Sequence, residues 1–291
     1  LHLSMAVNPE LTAANEIARV LLFPETSKVE TFMKGKVEMV EFIVKERSHL
    51  GGVSLAELYR KFQIKVLVCA VRRGSEVIIP NGDFVIHDGD RLHIVASHKY
   101  IEEFFHLIGK RKEPKNILIC GGGKVGYYLA KQLLGLGMQV KIIEQDWKKC
   151  EDLCDQLPKA TIICGNAADH DLLIEEGIEQ ADALVSLTGM DEENIILALF
   201  AKTKGVDKIV AKVNEDGRAQ LVEELGIDLI VSAKTATADA IMSYVRARQN
   251  SLKNVNVESM YQLVGGRVEA LEFIIKEKTE YTDCLLYTSD A

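Results

Sequence analysis

The sequence contains no apolar run approaching the ~18 residues that a membrane span requires. No charged start followed by an apolar core of the signal-peptide kind is visible. Positive charge is not in excess: 35 Lys and Arg stand against 43 Asp and Glu, a net charge of −8, which argues against a general nucleic-acid-binding surface. No C-x-x-C pair occurs. The six cysteines, Cys69, Cys120, Cys150, Cys154, Cys164 and Cys284, are scattered. They read as reduced, mostly buried thiols rather than a zinc or redox site. Histidine is scarce too, and of seven only His170 falls near the loops singled out below. What is present is a globular composition, 47% hydrophobic and 27% charged over 291 residues, enough for about two domains. The expected setting is a cytoplasmic one, with any role at a membrane exercised from the inner face through a partner and not through a span.

The stretch Asn116 to Gly126, NILICGGGKVG, organises the rest. Ile117 to Cys120 suit a buried strand. Gly121, Gly123 and Gly126 give G-x-G-x-x-G, and Tyr127 to Leu136 read as a helix. Gly121 permits a tight turn, Gly123 lets a pyrophosphate approach the backbone, and Gly126 lets helix and strand pack closely. The helix start offers free N–H groups and partial positive charge. A second strand, Gln139 to Glu144, ends in an acid 144 − 126 = 18 residues on, near the ~20 expected of the carboxylate that accepts from an adenosine ribose. A glycine-rich turn with an incidental acid would share parts of this pattern. The full order of strand, loop, helix, strand and acid favours nucleotide binding.

Alternation continues downstream. Thr161–Cys164, Ala183–Leu187, Lys208–Val213 and Ile227–Val231 read as strands. Helices are expected at Trp147–Leu157, Asp171–Glu176, Glu193–Lys204 and Glu215–Leu225. The fold class is therefore α/β, a doubly wound parallel, Rossmann-like sheet flanked by small α+β modules. Upstream, Met5–Val7 reads as a strand remnant and Pro9–Leu22 as a helix capped by Asn8. Between them and the sheet lies a β-rich module. Its elements are strands at Val37–Val44, Val66–Arg72, Glu76–Ile79 and Arg91–Val95, a helix at Ser54–Phe62 with a Ser54/Glu57 capping box, and a helix at Lys99–Ile108.

An internal repeat sets the organisation. GKVEMVEFIVKE (35–46) and GRVEALEFIIKE (266–277) are offset by 266 − 35 = 231 residues and agree at eight of twelve positions. Ile17 pairs with Ile241 at an offset of 224. A tandem duplication follows. The expected division is 1–26, the last strand and linking helix of a first nucleotide-binding domain; 27–109, a first C-terminal regulatory domain; 115–232, a second nucleotide-binding domain; 233–254, a linking helix; and 255–291, the start of a second regulatory domain. On this reading the chain is a fragment lacking the first nucleotide core, and the tail CLLYTSDA (284–291) is foreign to the repeat.

GGGKVG (121–126), Glu144, GNAAD (165–169), ADALVSLTGMDEEN (181–194) and KIVAKVN (208–214), in this order, resemble the regulator of K⁺ conductance (RCK) domain, also called the potassium-transport nucleotide-binding domain. PNGD–I–DGD (80–90) resembles that family's C-terminal ligand-sensing domain. Two such units in one chain resemble the NAD-binding regulatory subunits of bacterial Trk potassium-uptake systems. The resemblance implies that Gly121, Gly122, Gly123, Lys124, Val125 and Gly126 line the pyrophosphate and that Glu144 holds the adenosine ribose. It implies that Asn166 and Ala167 lie by the adenine, that Thr188 and Gly189 border the second ribose, and that Lys212 faces the distal end. Asn166 stands where the family often has Asp, and Lys212 where it often has Arg; Lys lacks the guanidinium fork.

The resemblance further implies a non-enzymatic subunit that binds NAD⁺ or NADH, with ATP or ADP as further candidates. Such a subunit forms homo-oligomers and gates a membrane potassium transporter, with neither nucleic acid nor a catalytic or metal site involved. A rival reading is an NAD-dependent oxidoreductase, but the small modules offer little room for a substrate lobe. Another is an RCK-type regulator of a different cation transporter.

Overall fold

The computed structural model describes residues 6–23, 26–32, 36–45, 48–63, 65–108, 114–214, 225, 227–252, 257–263, 267–273 and 275. In chain order the elements are α1 (Pro9–Leu22), β1 (Thr26–Phe32), β2 (Val37–Ile43), α2 (Leu55–Phe62), β3 (Leu67–Arg73), β4 (Glu76–Ile78), β5 (Arg91–Ala96) and α3 (His98–Leu107). Then follow β6 (Asn116–Cys120), α4 (Lys124–Gly135), β7 (Gln139–Glu144), α5 (Trp147–Gln156), β8 (Thr161–Cys164), α6 (His170–Glu175), β9 (Ala183–Ser186), α7 (Asp191–Thr203), β10 (Lys208–Lys212) and β11 (Leu229–Val231). The last are α8 (Ala233–Leu252), β12 (Val257–Leu263) and β13 (Val268–Phe273).

Six strands pair in the order β11-β10-β9-β6-β7-β8, all parallel. The doubly wound sheet expected from the alternation is therefore present. The strands alternate as a sheet buried on both faces must. Ile117 and Ile119 of β6 face one apolar layer with Val140 and Ile142 of β7, while Leu118 and Cys120 face the other with Leu184 and Ala211. Helices α4 and α5 cover the first face through Leu129, Leu133 and Leu153. Helices α6 and α7 cover the second through Leu173, Leu197 and Ala201. Helix α4 starts three residues earlier than the sequence suggested, at Lys124 instead of Tyr127, so the last residues of the glycine motif form its first turn.

The other sheet is antiparallel, in the order β1-β2-β5-β3-β4. Strand β1, Thr26–Phe32, was missed in the sequence reading. It is an edge strand whose alternating Lys and Glu hide its pattern. Phe42 sits edge-on to Phe104 and Phe105 of α3. The expected capping box is there: Ser54 Oγ accepts from the Glu57 N–H and the Glu57 carboxylate from the Ser54 N–H. Within the PNGD–I–DGD stretch, Asp90 is 1% exposed and accepts the Arg73 fork at 2.8 and 2.7 Å and the His87 N–H at 2.8 Å. That motif thus locks its own turn.

Helix α1 is capped as expected, with Asn8 Oδ1 accepting from the Leu11 N–H at 3.0 Å. Its buried face lies on α4. Asn8 bonds the Tyr128 hydroxyl and Asn15 accepts from Gln132 at 2.8 Å. Ile17 and Leu21 of α1, Leu129 of α4, and Phe42 and Ile94 of the antiparallel sheet all belong to one continuous core. The buried Lys208, at the start of β10, donates to the Thr26 carbonyl at 2.7 Å. Residues Leu1–Asp239 form one compact unit. Ala6 and Val7 are not in a strand, contrary to expectation. Met5, residues 215–224 of the helix expected over Glu215–Leu225, Gly35, Gly266 and the 284–291 tail lie outside the described residues.

The second unit, Ala240–Ala291, contains the end of α8 and the antiparallel hairpin β12–β13. Its register repeats that of β1–β2. Thr26↔Phe42 corresponds to Val257↔Phe273 (257 − 26 = 273 − 42 = 231), and the irregularity at Thr26/Lys28 recurs at Val257/Ser259. The duplicated residues thus build duplicated pairing.

Candidate functional site

The carboxyl ends of β6, β7, β9 and β10 and the loops that follow them converge around the glycine turn. Gly121 has φ +111°, and a Cβ there would stand 2.7 Å from the Leu187 carbonyl oxygen at the end of β9. Only glycine fits this contact. A Cβ at Gly126 would collide with the Gly121 carbonyl oxygen, so this glycine allows α4 to begin against the turn. Gly123 differs. Its backbone is extended, and a Cβ built there meets nothing within 4 Å. As N-cap of α4 it supplies no side-chain acceptor, which leaves the first N–H groups of the helix available to an outside anion. Val125 packs into the core behind the turn, and the largely exposed Lys124 reaches Glu10 of α1 at 3.5 Å.

Glu144 ends β7 and is 7% exposed. Its Oε2 accepts from the Gly122 N–H at 2.8 Å and its Oε1 from the Asp146 N–H at 2.9 Å. The carboxylate is thereby fixed against the glycine turn. Two of its roughly four lone-pair positions are used, so each oxygen can accept once more.

Across the sheet, Thr188 follows β9. Its N–H donates to Asn194 Oδ1 at 2.8 Å, and Asn194 Nδ2 donates to the carbonyls of Thr188 and Lys212 at 3.3 and 2.9 Å. Asn194 is fully buried and clamps the two loops together. Asp191, one turn earlier on α7, accepts from the Asn214 N–H and amide at 2.8 and 3.0 Å. Lys212 is half-buried with Nζ 3.4 Å from the Leu187 carbonyl; burial lowers its pKa, and the nearby Asp191 works in the opposite direction. Gly189 is exposed, and nothing stands within 4 Å of a Cβ built there. The loop after β8 starts beside Glu144, where the Gly165 N–H donates to the Glu144 carbonyl at 2.9 Å. Asn166 is exposed and turns its side chain back on the Ala168 N–H, while Ala167 is buried.

The predicted residues thus fall into a glycine–acid half (Gly121, Gly122, Gly123, Glu144) and a clamp half (Thr188, Lys212), joined where Gly121 touches Leu187. Asn166 is engaged with its own loop. The sequence reading gave neither Asn194 nor Asp191 a role in the site. Their signal was positional: both lie on the buried face of α7 with Leu197, Ala198 and Ala201, at helical spacing, where apolar residues are expected. Among the described residues no group of His, Cys, Asp and Glu could hold a metal ion, and no helix is long and apolar enough to cross a membrane.

Residues 117–233 match the TrkA-N domain and residues 39–109 the TrkA-C domain. A Trk system potassium uptake protein TrkA homolog of Archaeoglobus fulgidus is 33% identical over 261 residues, 89% of this chain and 57% of that protein. A second such homolog, from Methanosarcina mazei, is 31% identical over 277 residues, covering 94% of this chain and 66% of that one. The chain therefore spans less than two thirds of the length of these relatives. Among solved structures, the GsuK channel bound to NAD matches with a TM-score of 0.59 at 18% identity, over 86% of this chain and 45% of the other, a likeness of fold. The chain thus carries a TrkA-N domain and a TrkA-C domain, and along most of its length it is similar to curated TrkA homologs.

Proposed function

We propose that this protein is a non-enzymatic, nucleotide-binding regulatory subunit of potassium transport. The observation that carries the reading is the Glu144 carboxylate, pinned 2.8 Å from the Gly122 N–H beside the uncapped start of α4. The residues fit a dinucleotide. The open approach at Gly123 admits a pyrophosphate, the spare acceptor positions of Glu144 suit ribose hydroxyls, and the Lys212 ammonium suits a distal phosphate. Residues 115–232 would be the nucleotide-binding domain and 27–109 the regulatory module, with Gly121 to Gly126, Glu144, Asn166, Ala167, Thr188, Gly189 and Lys212 lining the ligand. NAD⁺ or NADH is the favoured ligand and ADP or ATP the alternative, because the features that read the adenosine half are common to all four.

The nucleotide acts as a signal. It shifts an equilibrium between arrangements of the protein for which it has different affinities. The shift passes to a membrane potassium transporter, on whose cytoplasmic face the subunit assembles as a homo-oligomer. Relatives bearing the name of a potassium uptake protein support this partner.

Calorimetric titration of NAD⁺, NADH, ADP and ATP into wild type and Glu144→Ala tests the reading. At least one nucleotide is expected to bind wild type, and the substitution should weaken it tenfold or more, about 1.4 kcal/mol. Equal affinity in the two proteins removes the ribose assignment. Sustained NADH turnover with a panel of carbonyl compounds would instead support an oxidoreductase.

A further inference from the structure

Three of the five cysteines among the described residues lie together on the α5–β8 side of the parallel sheet. Cys164 is the last residue of β8, an edge strand, and is exposed. In the β7–β8 ladder it stands directly beside Glu144. Ile142 and Ile162 pair two residues earlier and face the α4–α5 layer, so by strand alternation Cys164 points to that same layer. Cys150 comes down onto the spot from α5. It is buried, and its thiol donates to the Glu144 carbonyl at 3.2 Å, the same oxygen that accepts from the Gly165 N–H. Cys164 immediately precedes Gly165, so both cysteines border the same Glu144 carbonyl. Cys154, one turn further along α5, is exposed.

We propose that Cys150 and Cys164 form a reversible disulfide, an oxidative modification site on the rim of the Glu144 cleft. The roles follow from exposure. Burial, with Cys164 alongside, pushes the Cys150 thiol well above the ordinary range, so Cys150 stays protonated and does not meet the oxidant first. The accessible Cys164 does. As thiolate it attacks a hydroperoxide, the O–O bond breaks, and Cys164 sulfenic acid and water or an alcohol result. The Cys150 sulfur then attacks the sulfenic sulfur. The S–S bond forms and hydroxide leaves with the thiol proton as water. The two electrons given up by the pair of sulfurs have reduced one peroxide.

The bond closes the segment from 150 to 164 and ties the end of β8 to α5. It also removes the S–H that donates to the Glu144 carbonyl. Its effect on ligand binding rests on the nucleotide reading above, and the expected result is weaker binding in the oxidised protein.

The test uses the full chain with Cys154→Ser, treated with hydrogen peroxide and alkylated under denaturing conditions. Peptide mapping should find the 150–164 cross-link, reversed by dithiothreitol and lost in Cys150→Ser and in Cys164→Ser. Recovery of both thiols in alkylated form overturns the proposal, as does a Cys154–Cys164 link dominating in protein that keeps Cys154. Calorimetry with NADH should show severalfold weaker binding after oxidation. Equal affinities in the two redox states refute the coupling while the cross-link stands. Failure of the reduced protein to bind any nucleotide refutes the site assignment and the coupling together, and again leaves the cross-link to be judged by its peptide.

Discussion

A methyl group added at Gly123 would project into open space, whereas one at Gly126 would run into the carbonyl oxygen of Gly121. Substitution by alanine therefore separates binding from stability. Gly126→Ala should cost about 1–3 kcal/mol, because the neighbour is backbone and cannot swing aside. Gly123→Ala should change stability by less than about 1 kcal/mol, since its extended backbone suits alanine and the weaker N-cap is offset by a stiffer unfolded chain. It should nevertheless abolish nucleotide binding by obstructing the phosphates. Urea denaturation and calorimetry on the two variants check this. Asp90 offers a pH dependence. Burial pushes its carboxyl up, but the Arg73 fork and the His87 N–H outweigh burial and hold it below the usual value of 3.8. A depressed carboxyl stabilises the folded state above its unfolded pKa, and this is lost as pH falls through the folded one. Asp90→Asn should thus lose about 2 kcal/mol at pH 7. The gap from wild type should narrow as the pH drops below 3.8 in denaturation series.

Helix α1 precedes the antiparallel sheet in sequence yet buries its apolar face on α4, the helix that springs from the glycine turn. Ile17 is fully buried in that contact, so Ile17→Ala should cost about 2–5 kcal/mol. Lys124→Ala removes only a largely exposed ion pair with Glu10 and should cost under about 1 kcal/mol. Thermal unfolding of both variants distinguishes packing from surface charge as the glue. The existence of α1, its Asn8 cap and its apolar stripe could be read from residues three and four apart. So could every strand of the parallel sheet and the glycine–acid half of the site, since these depend on local pattern and on one spacing. What could not be read was set by partners distant in sequence. Strand β1 has no strong apolar alternation of its own and is fixed by pairing with β2. Asn194 looks like one polar residue on a helix until the ends of β9 and β10 are brought to it. The face of α4 against which α1 rests belongs to residues more than a hundred positions away.

Across the whole of Leu1–Asp239 the apolar interior is shared between the two sheets, and Lys208 adds a buried polar tie from β10 to the start of β1. A ligand held by the turn before α4 therefore stabilises more than its own sheet. Nucleotide at about 100 times its Kd should add about 2.7 kcal/mol to unfolding. Hydrogen exchange should slow in β2 and β5 as well as in β6 and β7. Protection confined to the parallel sheet would show that the two sheets open independently.

The placement of α1 also bears on how this chain tolerates being divided. A cut between residues 109 and 114 looks harmless in sequence, since it falls between the two domain matches. It would nevertheless strand Ile17 and Leu21 on one product and Leu129 and Leu133 on the other, each with a greasy stripe bared to water. The halves should either reassemble when co-expressed or precipitate when made apart, so a shortened form needs to begin upstream of Asn8 to stay in solution.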